Sequence, residues 1–183
     1  MSDLYIGSAG WSLRRDHFGL FSEHGTHLQR YASRFNAVEI NSSFYRPHRY
    51  STYRRWADST PEQFAFSVKI PKEITHSLRL RNADERIENF LGGVSGLGRK
   101  LGVLLVQLPP SFAFEPVTAH SFFSTLRSLT ETPIVCEPRH DSWFSMEAAA
   151  LLDEQRVSRV MADPPVQASG VQHTRTLTCV YFR

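Results

Sequence analysis

The sequence predicts a parallel β/α barrel, and three observations carry that prediction. Strand-like and helix-like stretches alternate along the 183 residues with no Asn-Gly hairpin signal between strands, so successive strands run parallel through right-handed crossovers. No Gly-x-Gly-x-x-Gly or Gly-x-x-x-x-Gly-Lys motif follows a strand, which removes support for the usual nucleotide-binding open sheets. A polar residue also recurs in one phase at the carboxyl end of nearly every strand.

The elements follow in order. Leu4-Tyr-Ile-Gly-Ser-Ala-Gly-Trp11 reads as a strand entering a glycine-punctuated turn. A loop with Asp16, His17, Phe18 and Phe21 precedes a helix whose stripe is Leu28, Tyr31, Ala32 and Phe35, with Thr26 as N-cap. Ala37–Asn41 is a strand with Val38 and Ile40 on one face and Glu39 and Asn41 on the other. Ser51 or Thr52 caps a second helix carrying Tyr53, Trp56 and Ala57. Phe64–Lys69 alternates cleanly, and a loop with Thr75 and His76 follows. A helix over about 82–100 has Ile87, Phe90, Leu91 and Val94 as its stripe, although Gly92, Gly93 and Gly96 weaken it. Val103–Leu108 is apolar on both faces, as a central parallel strand should be. A helix over about 118–129 leads to the strand Ile134–Glu137 and the loop Pro138–Trp143. A further helix starts near Ser145, then come a strand over 159–163, a loop around Gly170 and a last strand over 177–182.

The alternation predicts which residues share a face. Glu39 and Asn41 are in phase; so are Ser67 and Lys69, Leu105 and Gln107, Glu137 and Arg139, Met161 and Asp163, and Tyr181 and Arg183. In each set the polar or charged member lies at the carboxyl end. Several buried charges at one end are hard to explain by packing, since an unpaired buried charge is costly. In a β/α barrel that end carries the active site. The chain stops on the seventh strand, so the expected barrel is a single domain over 1–183 that is incomplete at its C-terminus.

Composition narrows the function classes. Hydrophobic residues make up 41% and charged residues 21%, which fits a folded globular chain. No segment approaches the roughly 18 apolar residues that span a bilayer. The N-terminus lacks a signal-peptide pattern, and Cys136 and Cys179 lie in apolar strand-like runs; together these predict two buried thiols and a cytoplasmic protein. The formal net charge is +3, but no acid occurs between Glu39 and Asp58 while Arg46, Arg49, Arg54 and Arg55 do. That stretch suits a phosphate, a carboxylate or a nucleic-acid backbone.

Several motifs, in this order, resemble the domain of unknown function 72 (YecE-like) family. They are Ile6-Gly-Ser-Ala-Gly-Trp11, Val38-Glu-Ile-Asn-Ser-Ser-Phe-Tyr45, Phe66-Ser-Val-Lys-Ile-Pro71 with Thr75-His76, Val106-Gln-Leu-Pro-Pro-Ser-Phe112 and Glu137-Pro-Arg-His-Asp-Ser-Trp143. Asp163 and Tyr181-Phe-Arg183 also fit. The resemblance covers essentially the whole chain. It implies a TIM-type barrel, in a version lacking its C-terminal part, and leaves activity open.

The residues themselves suggest chemistry. Glu39, Glu137 and Asp163 are the candidate catalytic acids and bases. Lys69, Arg139 and Arg183 form an expected anion clamp for a small phosphate- or carboxylate-bearing substrate. Asn41, Tyr45, His76, Gln107, His140 and Trp143 complete the expected binding residues. No nucleotide cofactor is implied. A divalent ion held by the carboxylates with His76 or His140 is a lesser alternative, because no His-x-His, His-Glu-x-x-His or Cys-x-x-Cys pattern occurs. The absence of a Gly-x-Ser-x-Gly elbow argues against a serine nucleophile. Two other functions stay open: nucleic-acid binding through the arginine- and aromatic-rich segment 44–56, and a non-catalytic ligand-binding barrel.

Overall fold

The computed structural model describes residues 4–166 and 179–183. The loop expected around Gly170 and the first two residues of the expected last strand lie outside the described residues. The fold is α/β, with one five-stranded sheet in the order β1-β2-β3-β4-β5. The strands are β1 (Ala37–Ile40), β2 (Ala65–Lys69), β3 (Leu101–Gln107), β4 (Ile134–Glu137) and β5 (Val157–Arg159). The helices are α1 (His27–Ala32), α2 (Tyr50–Asp58), α3 (Asp84–Val94), α4 (Pro116–Leu129) and α5 (Met146–Glu154). The chain divides into two compact units, Met1–Lys69 with Leu91–Gly102, and Ile70–Phe90 with Val103–Arg183.

In the first unit β1 and β2 pair in parallel, with Glu39 opposite Ser67. Helix α1 begins as expected at Thr26, whose hydroxyl accepts from the Gln29 amide while the Gln29 side chain returns to the Thr26 amide. Helix α2 starts two or three residues earlier than expected, after Arg49, with no side-chain cap. Its buried Tyr53 and Ala57 pack against the end of α3 and the 3₁₀ turn Ser95–Lys100. The single expected helix over 82–100 is thus two pieces, and its glycines have a packing role. A Cβ on Gly96 would meet the Arg54 amide nitrogen at 3.0 Å and the Tyr53 Cβ at 3.1 Å; one on Gly93 would meet the His48 carbonyl at 2.9 Å.

The expected first strand is not formed as such. Leu4, Tyr5 and Ile6 are exposed, and only Ala9 makes a parallel bridge, to Glu39. The segment is held largely by side chains. The Ile6 amide donates to Asn36 Oδ1 at 2.8 Å, and the Ser8 amide donates to the Tyr31 hydroxyl at 2.8 Å.

In the second unit β3, β4 and β5 pair in parallel, with Gln107 opposite Glu137 and Cys136 opposite Arg159. Leu104, Leu105, Val106 and Leu108 are all buried, as the two-faced apolar pattern requires. The fifth strand begins two residues before the expected position, because Ser158 and Arg159 are buried polar residues that interrupt its apolar signal. This corrects its phase. Val160 packs with Leu105 and Val135, so Met161 and Asp163 belong to the opposite face. Val103, Cys179 and Tyr181 join that cluster, in the expected phase. Cys136 is buried, but Cys179 only half so. Phe182 bridges Met161 in parallel, and Asp163 donates its amide to the Arg183 carbonyl at 2.8 Å. Among the described residues no helix is long and apolar enough to cross a membrane.

Candidate anion site

Strand register builds the site in the second unit. Gln107 ends β3 and Glu137 ends β4, and because they are register partners their side chains emerge side by side. The Gln107 amide Nε2 donates to Glu137 Oε2 at 2.8 Å. Pro138 then ends the ladder, and two residues on Arg139 folds back. Its Nε and Nη2 donate to Glu137 Oε1 at 3.1 and 3.0 Å. Arg183 Nη1 donates to Oε2 at 3.2 Å.

The Glu137 side chain is 5% exposed, against 42% for Arg139 and 24% for Arg183. A carboxylate this enclosed is tolerated because four donors, three from guanidinium groups, compensate its lost hydration. Two guanidiniums meet on one carboxylate. Arg139 Nη1 has no protein partner among the described residues. Arg139 thus presents an oriented, part-exposed guanidinium held by a buried carboxylate.

The loop beyond β4 is stiff. His140 Nδ1 caps the turn Asp141–Phe144, accepting from the Ser142 amide at 3.2 Å and lying 2.9 Å from the Ser142 hydroxyl. That hydroxyl accepts from the Phe114 amide at 2.7 Å. Trp143 belongs to the core rather than to a pocket wall. It is fully buried, donates its indole N–H to the Phe112 carbonyl at 2.9 Å and packs edge-on against Phe112 and Phe114. Buried Arg159 donates to the Trp143 carbonyl at 3.0 Å and lies 5.0 Å from the Phe144 ring centre. Burial holds its pKa below the usual guanidinium value.

His76 lies in the π-helical turn Glu73–Ser77, with Nδ1 2.9 Å from the Thr75 hydroxyl. Asp163 is exposed and is not among the groups bound to Glu137.

The first unit holds the remaining expected residues. Glu39 and Lys69 are both buried at the carboxyl ends of β1 and β2, and the Lys69 ammonium lies 3.9 Å from the Phe44 ring centre. The Ser43 hydroxyl, which sequence reasoning missed, joins those strand ends by reaching the Ile40 and Lys69 carbonyls at 2.8 and 2.6 Å. Asn41 Oδ1 is buried with no hydrogen-bond partner among the described residues. Tyr45 is 77% exposed, with its ring edge-on to that of Phe44. Among the described residues no group of three His, Cys, Asp or Glu is placed to hold a metal ion.

The comparisons agree with this architecture. The family model described as "Protein of unknown function DUF72" matches residues 5–183. UPF0759 protein YecE of Escherichia coli is 32% identical over 174 residues, which cover 91% of this chain and 61% of YecE. UPF0759 protein YunF of Bacillus subtilis is 28% identical over 151 residues, covering 78% of this chain and 52% of YunF. Among solved structures, a DUF72 family protein of Thermotoga maritima matches with a TM-score of 0.70 and 28% identity, over 87% of this chain and 64% of that one. One from Enterococcus faecalis matches with a TM-score of 0.71 and 24% identity, over 86% and 60%, and shows the fold alone. The chain thus spans about three fifths of the length of YecE. It belongs to the DUF72 family of proteins of unknown function.

Proposed function

We propose that this chain is part of a TIM-type β/α-barrel enzyme that binds a small phosphate- or carboxylate-bearing substrate at the carboxyl ends of its strands. The carrying observation is the Glu137 carboxylate, which aims Arg139 and Arg183. The all-parallel strand order supports the barrel, as do the single parallel bridges at Ala9 and at Phe182, which bring the strand count to the expected seven. In this reading Glu137 positions the anion clamp. Without turnover, the same site would serve a ligand-binding barrel.

The test is a panel of phosphorylated and carboxylated metabolites, with melting temperature as readout at constant ionic strength. A ligand at 100 times its Kd stabilises the fold by about 2.7 kcal/mol. The expected result is that anionic members raise the melting temperature and Arg139→Ala abolishes the rise. Equal shifts in the variant would remove the reading.

A second reading rests on the first unit. Arg46, Arg49, Arg54 and Arg55 are all exposed, and Tyr50 and the two α2 arginines line an open concavity of about 560 Å³. This surface suits a single-stranded nucleic acid, with Tyr45 and Tyr50 as stacking platforms. Tyr53 and Trp56 do not serve, because they pack with His48 and Trp11 in an aromatic cluster. Binding to a single-stranded oligonucleotide should weaken steeply with salt; salt-independent or absent binding rules this reading out.

A further inference from the structure

We propose that Ser42 and His48 form a nucleophile–base pair, built wholly from residues of the first unit, that acts on a small ester bearing an anionic group. His48 Nε2 lies 2.8 Å from the Ser42 hydroxyl oxygen. This is hydrogen-bond reach for a base that activates a hydroxyl. Ser42 is exposed and lies two residues beyond β1, opening the 3₁₀ turn Ser42–Phe44 at the strand's carboxyl end. His48 is half-buried and its ring is fixed on two sides, with Trp56 edge-on at 4.9 Å and Tyr53 at 5.7 Å. Gly93 of α3 lets the helix approach the His48 carbonyl, which holds the backbone behind the imidazole.

The surroundings favour a base over an acid. Burial, and then the charge of Arg46, hold the His48 pKa below its ordinary value, so the ring is neutral near pH 7. With its proton on Nδ1, Nε2 accepts from Ser42. Arg46, exposed and close enough to act on the imidazole, is the group that would meet a substrate's anion.

The reaction balances without a further reagent. Ser42 Oγ attacks the ester carbonyl, the Oγ–C bond forms and the Oγ proton passes to Nε2. The C–O bond to the alcohol then breaks, and the alcohol leaves with the Nε2 proton. Water attacks the acyl group in the same way, giving the carboxylic acid and free Ser42.

The experiment labels the full chain with an alkyl fluorophosphonate and maps adducts by peptide mass spectrometry over time. The Oγ–P bond forms as P–F breaks, with the proton taken by Nε2. Labelling at Ser42 should exceed labelling at Ser51, an exposed serine on α2 with no histidine partner, by about 100-fold or more. It should fall by a similar factor in His48→Gln, or in His48→Asn if the glutamine variant does not fold, and vanish in Ser42→Ala. Equal labelling of Ser42 and Ser51 would overturn the proposal. So would an unchanged Ser42 rate in a folded His48 variant. Should neither variant fold, the ratio of Ser42 to Ser51 within the unaltered chain decides.

Discussion

Replacing Glu137 by glutamine keeps the shape of the side chain and removes its charge, which isolates what the carboxylate does. Of its four hydrogen bonds, the one from Gln107 survives, because the new amide oxygen still accepts at 2.8 Å. The two from Arg139 are lost, because an amide NH2 that can only donate takes the place of Oε1, but that guanidinium is 42% exposed and water takes over much of the role, so its share is roughly 0.5 kcal/mol. Arg183 is more enclosed at 24% exposed, and loss of its charged partner costs about 1 kcal/mol. The sum is about 1.5 kcal/mol. For a chain of this size that is about 3–6 °C in melting temperature. Urea denaturation should show a lower midpoint with an unchanged slope. Glu137→Ala should cost more, about 2–3 kcal/mol, since it removes the buried acceptor of the Gln107 amide and of both guanidiniums. Glu131→Gln is the control: its side chain is 87% exposed and only 3.6 Å from Arg156, so the melting temperature should not move. If Glu137→Gln were as stable as the unaltered chain, the carboxylate would not be what holds the arginines.

Three further outcomes are expected. Gly96→Ala should destabilise by about 1–3 kcal/mol, because its Cβ meets the backbone and Cβ atoms of α2, while Gly92→Ala, with open space around it, should gain up to about 1 kcal/mol; thermal melts of the pair should move in opposite directions. Lys100→Met should cost about 1–2 kcal/mol by urea denaturation. The ammonium donates to the Ala57 and Thr60 carbonyls and the Thr60 hydroxyl, satisfying the C-terminal end of α2. His48 should make stability fall on acidification: its folded pKa is below the unfolded value, so the unfolded chain binds more protons as pH drops through about 6.5, and the loss stops once both states are protonated. The drop in melting temperature between pH 7.5 and pH 5.5 should be smaller in His48→Gln than in the unaltered chain.

What the sequence made legible follows physical lines. Val103–Leu108 was legible because a strand buried on both faces leaves an unbroken apolar run, and α1 because its capping box is local. The polar ends of β3 and β4 were legible for a similar reason: period-two alternation fixes phase, and Gln107, Glu137, Arg139 and Arg183 do converge. The alternation misled where burial did not follow polarity. Leu4–Ile6 are apolar yet exposed, and Ser158 and Arg159 are polar yet buried, which displaced the fifth strand and with it the phase of Asp163. Trp143 could be assigned to a wall or to the core only once its indole partner was known. Ser42 and His48 are six residues apart with no motif between them, and only the turn after β1 brings them together.

If Glu137 aims Arg139 and Arg183 at a small anion, isothermal titration of the full chain with inorganic phosphate, at constant ionic strength set with chloride, should show saturable binding. That binding should be lost in Arg139→Ala and weakened in Glu137→Gln, with both variants folded. Phosphate binding of equal strength in Arg139→Ala, or no saturable binding to the unaltered chain, would contradict that role of Glu137.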